Sequence, residues 1–399
     1  MTQNDWSVPE TEVVQRVHEQ LEADGDGTDV LATIVAVEGN AYRRPGAKML
    51  LDAEGTGVGA ITAGCLEDEL LRAAESVRES GRPELVRYDL MDDDDDVWGL
   101  GVGCNGIIDV LLEPLSETYR PAVEAFDEGR DVAVCTVLDG GEDGDEDAES
   151  DSATLTRGDR AYYHPDADRF ETPEPDAGSI DEWPVEALAE PAADLARRGK
   201  AATLEVDHEG RTLELFVDGL AAPPELVVFG TGHDVGPVTE LAARNDFRVT
   251  VVGFRGGVDL EERFPDADRT VTTSPRSLAD DLELGERTYA VVMTHNFVDD
   301  RLTVETLLET EVPYVGLMGP RERFEEMLEE FAAEGHSVDE ADLETLYTPI
   351  GLDLGSGSPY GIAHSIVAEA LAVSNDRVPQ HLSSREGHIH ERIELDVGR

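Results

Sequence analysis

The sequence predicts an α/β fold: a C-terminal Rossmann-like parallel sheet with helices on both faces, preceded by a mixed α+β N-terminal domain. Three observations predict it. The run Gly230-Thr231-Gly232-His233-Asp234-Val235-Gly236 follows an apolar strand and precedes a helical stretch, the order in which a nucleotide-binding βα unit opens. Around it, strands expected at 225–230, 248–253, 288–293 and 312–316 alternate with helices near 233–245, 299–309 and 319–334. That alternation requires parallel strands covered on both faces. The first 220 residues lack such regularity, and 399 residues are too many for one ordinary core. Domains are therefore expected at 1–220 and 221–374, joined at Ala221-Ala222-Pro223-Pro224, with a polar tail over 375–399.

The N-terminal elements follow from local pattern. Val13, Val14, Val17 and Leu21 recur at helical spacing within 10–23, and the β-branched run 30–37 reads as a buried strand. A turn-rich loop over 38–46 leads to a strand at 47–51, a shorter one at 58–62, a helix over 66–78 and a strand at 85–88. The glycine-dense stretch 99–106 enters an apolar strand at 107–112, and a helix over 116–129 precedes a strand at 131–138. An almost wholly acidic insertion, about 139–152, reads as a solvated loop, and 152–220 mixes short strands with a helix near 185–197. A last helix is expected over 359–373.

Charge dominates the composition. There are 89 acidic and 31 basic residues, a formal net charge of −58, and the only lysines are Lys48 and Lys200. With 40% hydrophobic residues in regular patterns, the chain reads as folded and not as a disordered acidic chain. Such a surface suits a halophilic source, where molar salt shortens the screening length, and it argues against nucleic acid and anionic membranes as partners. No stretch approaches the roughly 18 to 20 apolar residues of a membrane span, and the N-terminus lacks a signal-peptide pattern. A cytoplasmic protein is expected. Its three cysteines, Cys65, Cys104 and Cys135, are too few for a disulfide framework.

Four constellations can carry chemistry. In the first, Gly230, Gly232 and Gly236 permit a tight turn and close approach of a phosphate to a helix N-terminus, with His233 between them. In the second, the strand 248–253 ends in Gly253 where an acid usually meets the ribose hydroxyls, which speaks against ordinary NAD binding. Arg255 beyond it is compatible with a phosphate, as in NADP, and equally with a solvated arginine. The third gathers Met293-Thr294-His295, Gly319-Pro320-Arg321 and Gly351-Leu352-Asp353 at strand ends, where ligands of open α/β sheets bind. His295 reads as a ligand contact or as a structural histidine. The fourth is Gly64-Cys65 and Gly103-Cys104-Asn105-Gly106, thiols among glycines whose backbone N–H groups can stabilise a thiolate; buried filler is the alternative. Cys135, inside a strand, reads as filler.

Taken in order, these segments resemble the XdhC/CoxI family of accessory proteins for xanthine dehydrogenase and carbon monoxide dehydrogenase. The resemblance rests on Arg43-Arg44-Pro45-Gly46-Ala47-Lys48-Met49, Gly64-Cys65-Leu66-Glu67, Gly101-Val102-Gly103-Cys104-Asn105-Gly106, the glycine turn, Met293-Thr294-His295, Gly316-Leu317-Met318-Gly319-Pro320-Arg321, and Thr348-Pro349-Ile350-Gly351-Leu352-Asp353. It covers roughly 10–115 and 225–373. The resemblance implies binding of molybdenum cofactor, as molybdopterin or its dinucleotide form, its protection and sulfuration, and its delivery to an apo molybdenum hydroxylase. A sulfur-donating cysteine desulfurase is a further implied partner, and a homodimer is one open arrangement. Cys65 and Cys104 would meet the molybdenum centre as soft ligands. Lys48 would offer a point charge to the anion. Gly230, Gly232, His233, Gly236, His295, Gly319, Arg321 and Asp353 would line the nucleotide side. Two other classes stay open: an NAD(P)-dependent oxidoreductase, and an interaction protein with a vestigial pocket.

Overall fold

Val13, Val14, Val17 and Leu21 are the buried stripe of the first helix, α1 (Glu10–Glu22). Next, β1 (Val30–Gly39) pairs antiparallel with β2 (Lys48–Leu51), which in turn pairs with β3 (Gly57–Val58). After α2 (Glu67–Ser80), β4 (Glu84–Asp89) and β5 (Gly106–Pro114) complete a five-stranded sheet ordered β3-β2-β1-β5-β4. The strand expected at 58–62 is thus confined to Gly57–Val58, because the chain turns at Gly59, whose φ is +83°.

A second antiparallel sheet follows. Behind α3 (Arg120–Asp127) come β6 (Val132–Asp139), β7 (Arg160–His164) and β8 (Arg169–Glu171). After α4 (Val185–Arg198), β9 (Ala201–His208) and β10 (Arg211–Leu220) close the order β8-β7-β6-β10-β9. Side chains alternate between faces along each strand. Val30, Ala32, Ile34, Met49 and Leu51 pack with Leu70, Ala74 and Val77 of α2. Ala133, Cys135 and Val137 pack with Leu188, Ala192 and Leu195 of α4. The opposite faces meet each other: Val35 and Leu111 touch Leu138, Ala201 and Phe216, and α1 and α3 seal the apolar layer that Leu31, Leu50, Val132, Val134 and Tyr162 share.

The chain divides into two units, the first built mainly from Met1–Ala222 and the second from Pro223–Arg385. The computed structural model describes residues 5–23, 29–39, 41–64, 66–90, 106–141, 155–173, 179–335, 338 and 343–384. Cys65, Cys104, most of the acidic insertion and the tail beyond 384 lie outside the described residues.

The second unit is a parallel sheet ordered β13-β12-β11-β14-β15-β16, with β11 (Glu225–Phe229), β12 (Arg248–Gly253), β13 (Arg269–Thr272), β14 (Thr288–Val292), β15 (Tyr314–Leu317) and β16 (Leu346–Tyr347). Every pair in it is parallel. One face is covered by α5 (Val235–Ala243) and α10 (Pro359–Ser374). The other carries α7 (Leu278–Asp281), α8 (Phe297–Leu308) and α9 (Arg321–Glu334), while the short α6 (Leu260–Arg263) follows β12. This is the α/β fold that the alternating pattern predicts. The pattern did not show β13 or β16, both edge strands too short and too exposed for an apolar run. Among the described residues no helix is long and apolar enough to cross a membrane.

Candidate functional site

The strand order reverses between β11 and β14, so the loops that follow these two strands stand side by side at the carboxyl edge of the sheet. Open α/β sheets bind ligands at this point. The loop after β11 is the glycine turn. Gly230 has φ +152°, and a Cβ there would stand 2.5 Å from the carbonyl oxygen of Met293. A Cβ at Gly232 would collide with Asp234 Oδ1 and approach His295 Cδ2 at 3.5 Å. Gly230 is therefore sterically required, since backbone blocks any side chain there; at Gly232 only the movable Asp234 carboxylate stands in the way, and a Cβ at Gly236 would meet nothing. α5 starts at Val235, two residues later than its pattern predicts, because 230–234 form the turn.

Asp234 holds the N-cap position of α5 but makes no capping hydrogen bond with its side chain. Its Oδ2 lies 2.8 Å from Nε2 of His295. The two loops at the strand-order reversal are thus tied by a His–Asp pair, and a carboxylate occupies ground that suits an anion. His295 is 57% exposed. Its φ is +58°, a left-handed conformation that costs a non-glycine residue about 1–3 kcal/mol and persists only where neighbours over-determine it. His233, next to Asp234, is exposed.

The neighbours that hold His295 escaped sequence reasoning. Buried Asp300 accepts hydrogen bonds at Oδ1 from the Thr294 backbone N–H (3.1 Å) and the Thr294 hydroxyl (2.5 Å). The same hydroxyl accepts from the N–H of Asn296 at 3.1 Å. Asn296 caps α8, its side-chain oxygen accepting from Val298 and Asp299. Oδ2 of Asp300 pairs with Arg323, whose guanidinium stacks on Phe297 at 5.5 Å. The only sequence signal was an acid in the first turn of a helix, a common capping preference.

The remaining predicted residues of this unit share the same sheet edge. Gly253 ends β12, and a Cβ there would stand 3.1 Å from Thr231 Cγ2 and 3.2 Å from Leu260 Cδ1, so a side chain at this position needs both neighbours to shift slightly. Arg255 is exposed and pairs with Asp299 at 3.1 Å, a surface contact of small energy. Gly319 follows β15 with φ +132°, and a Cβ there would crowd Arg323 Cδ at 2.8 Å. Arg321 opens α9 and Asp353 lies on the loop after β16; both are exposed. Buried Glu369 anchors that loop, accepting from the Gly351 N–H and the Tyr314 hydroxyl, each at 2.8 Å. Burial, and then Glu369, holds the Tyr314 phenol well above its usual range.

The first unit treats its predicted residues differently. Lys48, expected to offer its charge to an anion, is buried and already paired. Its side chain is 7% exposed, and its ammonium pairs with Asp218 Oδ2 at 2.5 Å and donates to the Gly46 carbonyl at 2.9 Å. Lys48 belongs to the first sheet and Asp218 to the second, and Arg160 of the second pairs in the same way with Glu113 of the first. Two ion pairs thus cross an otherwise apolar layer, with the Tyr119 ring 5.1 Å from the Arg160 guanidinium. Cys65 and Cys104 are outside the described residues, but the approach to Cys65 is visible. Buried Glu67 accepts from the Thr62 N–H (3.2 Å), the Thr62 hydroxyl (2.8 Å) and the Leu66 N–H (3.0 Å). Glu67 therefore ties Thr62 to the start of α2. Cys135 is buried, and desolvation pushes its thiol up to about 12.

Comparisons with known proteins agree with this layout. Residues 226–370 match a family model described as the XdhC Rossmann domain, and 11–89 match that of the XdhC and CoxI family. A Bacillus subtilis (strain 168) protein named as a probable xanthine dehydrogenase chain is 30% identical over 346 residues, 86% of this chain and 92% of the relative. An uncharacterized protein of Escherichia coli (strain K12), YqeB, is 26% identical over 180 residues, 45% of this chain and 32% of its own length. A crystal structure of a xanthine dehydrogenase from Bacillus halodurans superposes with a TM-score of 0.70 at 28% identity, covering 93% of this chain and 97% of the other.

Proposed function

The chain belongs to the XdhC and CoxI family, and from that premise we propose that it is an accessory protein of a xanthine dehydrogenase-type molybdenum hydroxylase, binding the molybdenum cofactor and delivering it to the apoenzyme. The observation that carries this reading is the glycine turn at the strand-order reversal, where Gly230, which tolerates no side chain, and Gly232 leave backbone open to a phosphate beside the start of α5. The fit is conditional on one side chain. Asp234 stands where phosphate oxygens belong, so binding turns its carboxylate away and frees His295 Nε2 to donate to the phosphate. When bound, the cofactor supplies a molybdenum centre able to exchange an oxo for a sulfido ligand. The chain's own work is to hold the phosphate, orient it from the His295 loop and shield it until transfer.

Cys65 and Cys104 enter this proposal from the sequence alone, as soft donors suited to a sulfur-rich metal centre. A cysteine desulfurase is the sulfur source that such an exchange needs, and the cytoplasm is the setting in which both thiols stay reduced. The competing reading is an NAD(P)-dependent oxidoreductase, against which Gly253 counts. Mass spectrometry of small molecules released from the full chain, purified in high salt, separates the two. Molybdopterin or its dinucleotide form is expected from the wild type, with less from Cys65→Ala and Cys104→Ala. Unchanged pterin in both variants removes the thiol role. Micromolar binding of NADH or NADPH with hydride transfer, and no pterin, overturns the proposal.

A further inference from the structure

His295 meets Asp234 of the glycine turn from a left-handed backbone, φ +58°, and the residues on either side of it are tied to one buried carboxylate. Thr294 is tied directly: its N–H and hydroxyl both donate to Asp300 Oδ1, at 3.1 and 2.5 Å. Asn296 is tied at one remove, its N–H donating to the Thr294 hydroxyl at 3.1 Å. Asp300, 1% exposed, has no freedom of its own, since Arg323 takes its other oxygen. Arg323 is held in turn by the Phe297 ring and by its packing under Gly319, where a Cβ would stand 2.8 Å from Cδ. The first turns of α8 and α9, directly behind the loops after β14 and β15, are therefore joined by the Asp300–Arg323 pair.

From this we propose that Asp300 is a positioning residue of the nucleotide crevice: through Thr294 it fixes His295 in the left-handed conformation that aims the imidazole at the glycine turn, and through Arg323 it couples that loop to the Gly319 loop. Asp300 touches no ligand. The proposal rests on the reading of the crevice as a phosphate site only for its effect on affinity; the ordering of the loop is independent of any ligand. The chemistry is that of a satisfied buried network, in which each group has one geometry available and loss of one member loosens the rest.

Two measurements on the full chain test it: hydrogen exchange of the backbone amides of 294–297 without ligand, and calorimetric titration with inorganic pyrophosphate. Asp300→Asn removes the charge, and Thr294→Val removes the relay hydroxyl while leaving the buried Asp300–Arg323 pair intact. Both are expected to speed exchange at Asn296, whose N–H donates to the relay hydroxyl, about tenfold or more and to weaken pyrophosphate about tenfold. Thr294→Ser, which keeps the hydroxyl, should restore both. Wild-type exchange in Thr294→Val refutes the positioning role, whatever the affinity does. Weaker pyrophosphate with unchanged exchange also refutes it, because it would place the Asp300–Thr294 pair in direct contact with the ligand. Absence of pyrophosphate binding by the wild type counts against the phosphate site, while the exchange rates still decide the role of Asp300.

Discussion

Replacing Lys48 by methionine separates a structural ion pair from an anion-binding lysine. The substitution removes an ammonium held at 2.5 Å from Asp218 in a layer where both side chains are 7% exposed. Among the described residues the other cation of this layer, Arg160, is engaged by Glu113, so the carboxylate left behind loses its partner. Breaking one partner of a buried pair costs about 3–5 kcal/mol. For a unit of this size each kcal/mol moves Tm by about 2–4 °C, so the first unit should melt about 6–20 °C lower. In the double variant Lys48→Met/Asp218→Leu, methionine follows the lysine stem and leucine the branched shape of aspartate. Its stability should return to the wild-type value or exceed it by about 1–4 kcal/mol. Calorimetry and urea unfolding of the full chain measure both. A single variant within about 0.5 kcal/mol of the wild type, an ordinary surface effect, would refute the buried-pair argument. The double variant also tests function: if it is stable and still releases pterin, Lys48 is structural. If it is stable and releases none, the lysine meets the anion as the sequence resemblance implies.

Three further outcomes are expected. Cys135, with its thiol pushed up to about 12 by burial, should resist iodoacetamide in the native protein at pH 8 and react on unfolding. Because the exposed thiol ionises from 9.0 upward and the buried one only near 12, the protein loses stability as pH rises between those values, and native-state labelling should accelerate through them. Asp234→Asn removes a negative charge from the phosphate ground and should tighten pyrophosphate binding about fivefold, on the order of 1 kcal/mol, with His295→Ala weakening it; looser binding in Asp234→Asn would show that the carboxylate contacts the ligand. Finally, with a net charge of −58 the chain repels itself, and Tm should climb as salt rises from about 0.1 M to about 2 M. A flat or falling curve would dissociate the acidity from salt adaptation.

How much was legible in the sequence depends on the range of the interactions involved. The strand at 225–229, the glycine turn and the helix behind it are local in chain and in cause, and the pattern predicts them to within two residues. The alternation after 225 also determined the fold class, since parallel strands need crossovers and the crossovers leave their own helical period. Cys135 read correctly as filler because one apolar strand surrounds it. The short strands β13 and β16 were illegible for the opposite reason: they are stabilised by neighbours in the sheet and not by their own four and two residues.

The site divides in the same way. By itself the sequence determined that Gly230, Gly232 and His295 occupy strand ends of one parallel sheet, which is enough to place them on one edge. Only the tertiary structure decided that Asp234 and His295 meet at 2.8 Å, that Asp300 and Arg323 hold the histidine loop, and that Lys48 points into the layer between two sheets. These contacts join residues 61, 23 and 170 positions apart. No periodicity records such a pair: periodicity reports which face of an element is apolar, whereas the partner of a buried charge is set by which elements pack against each other.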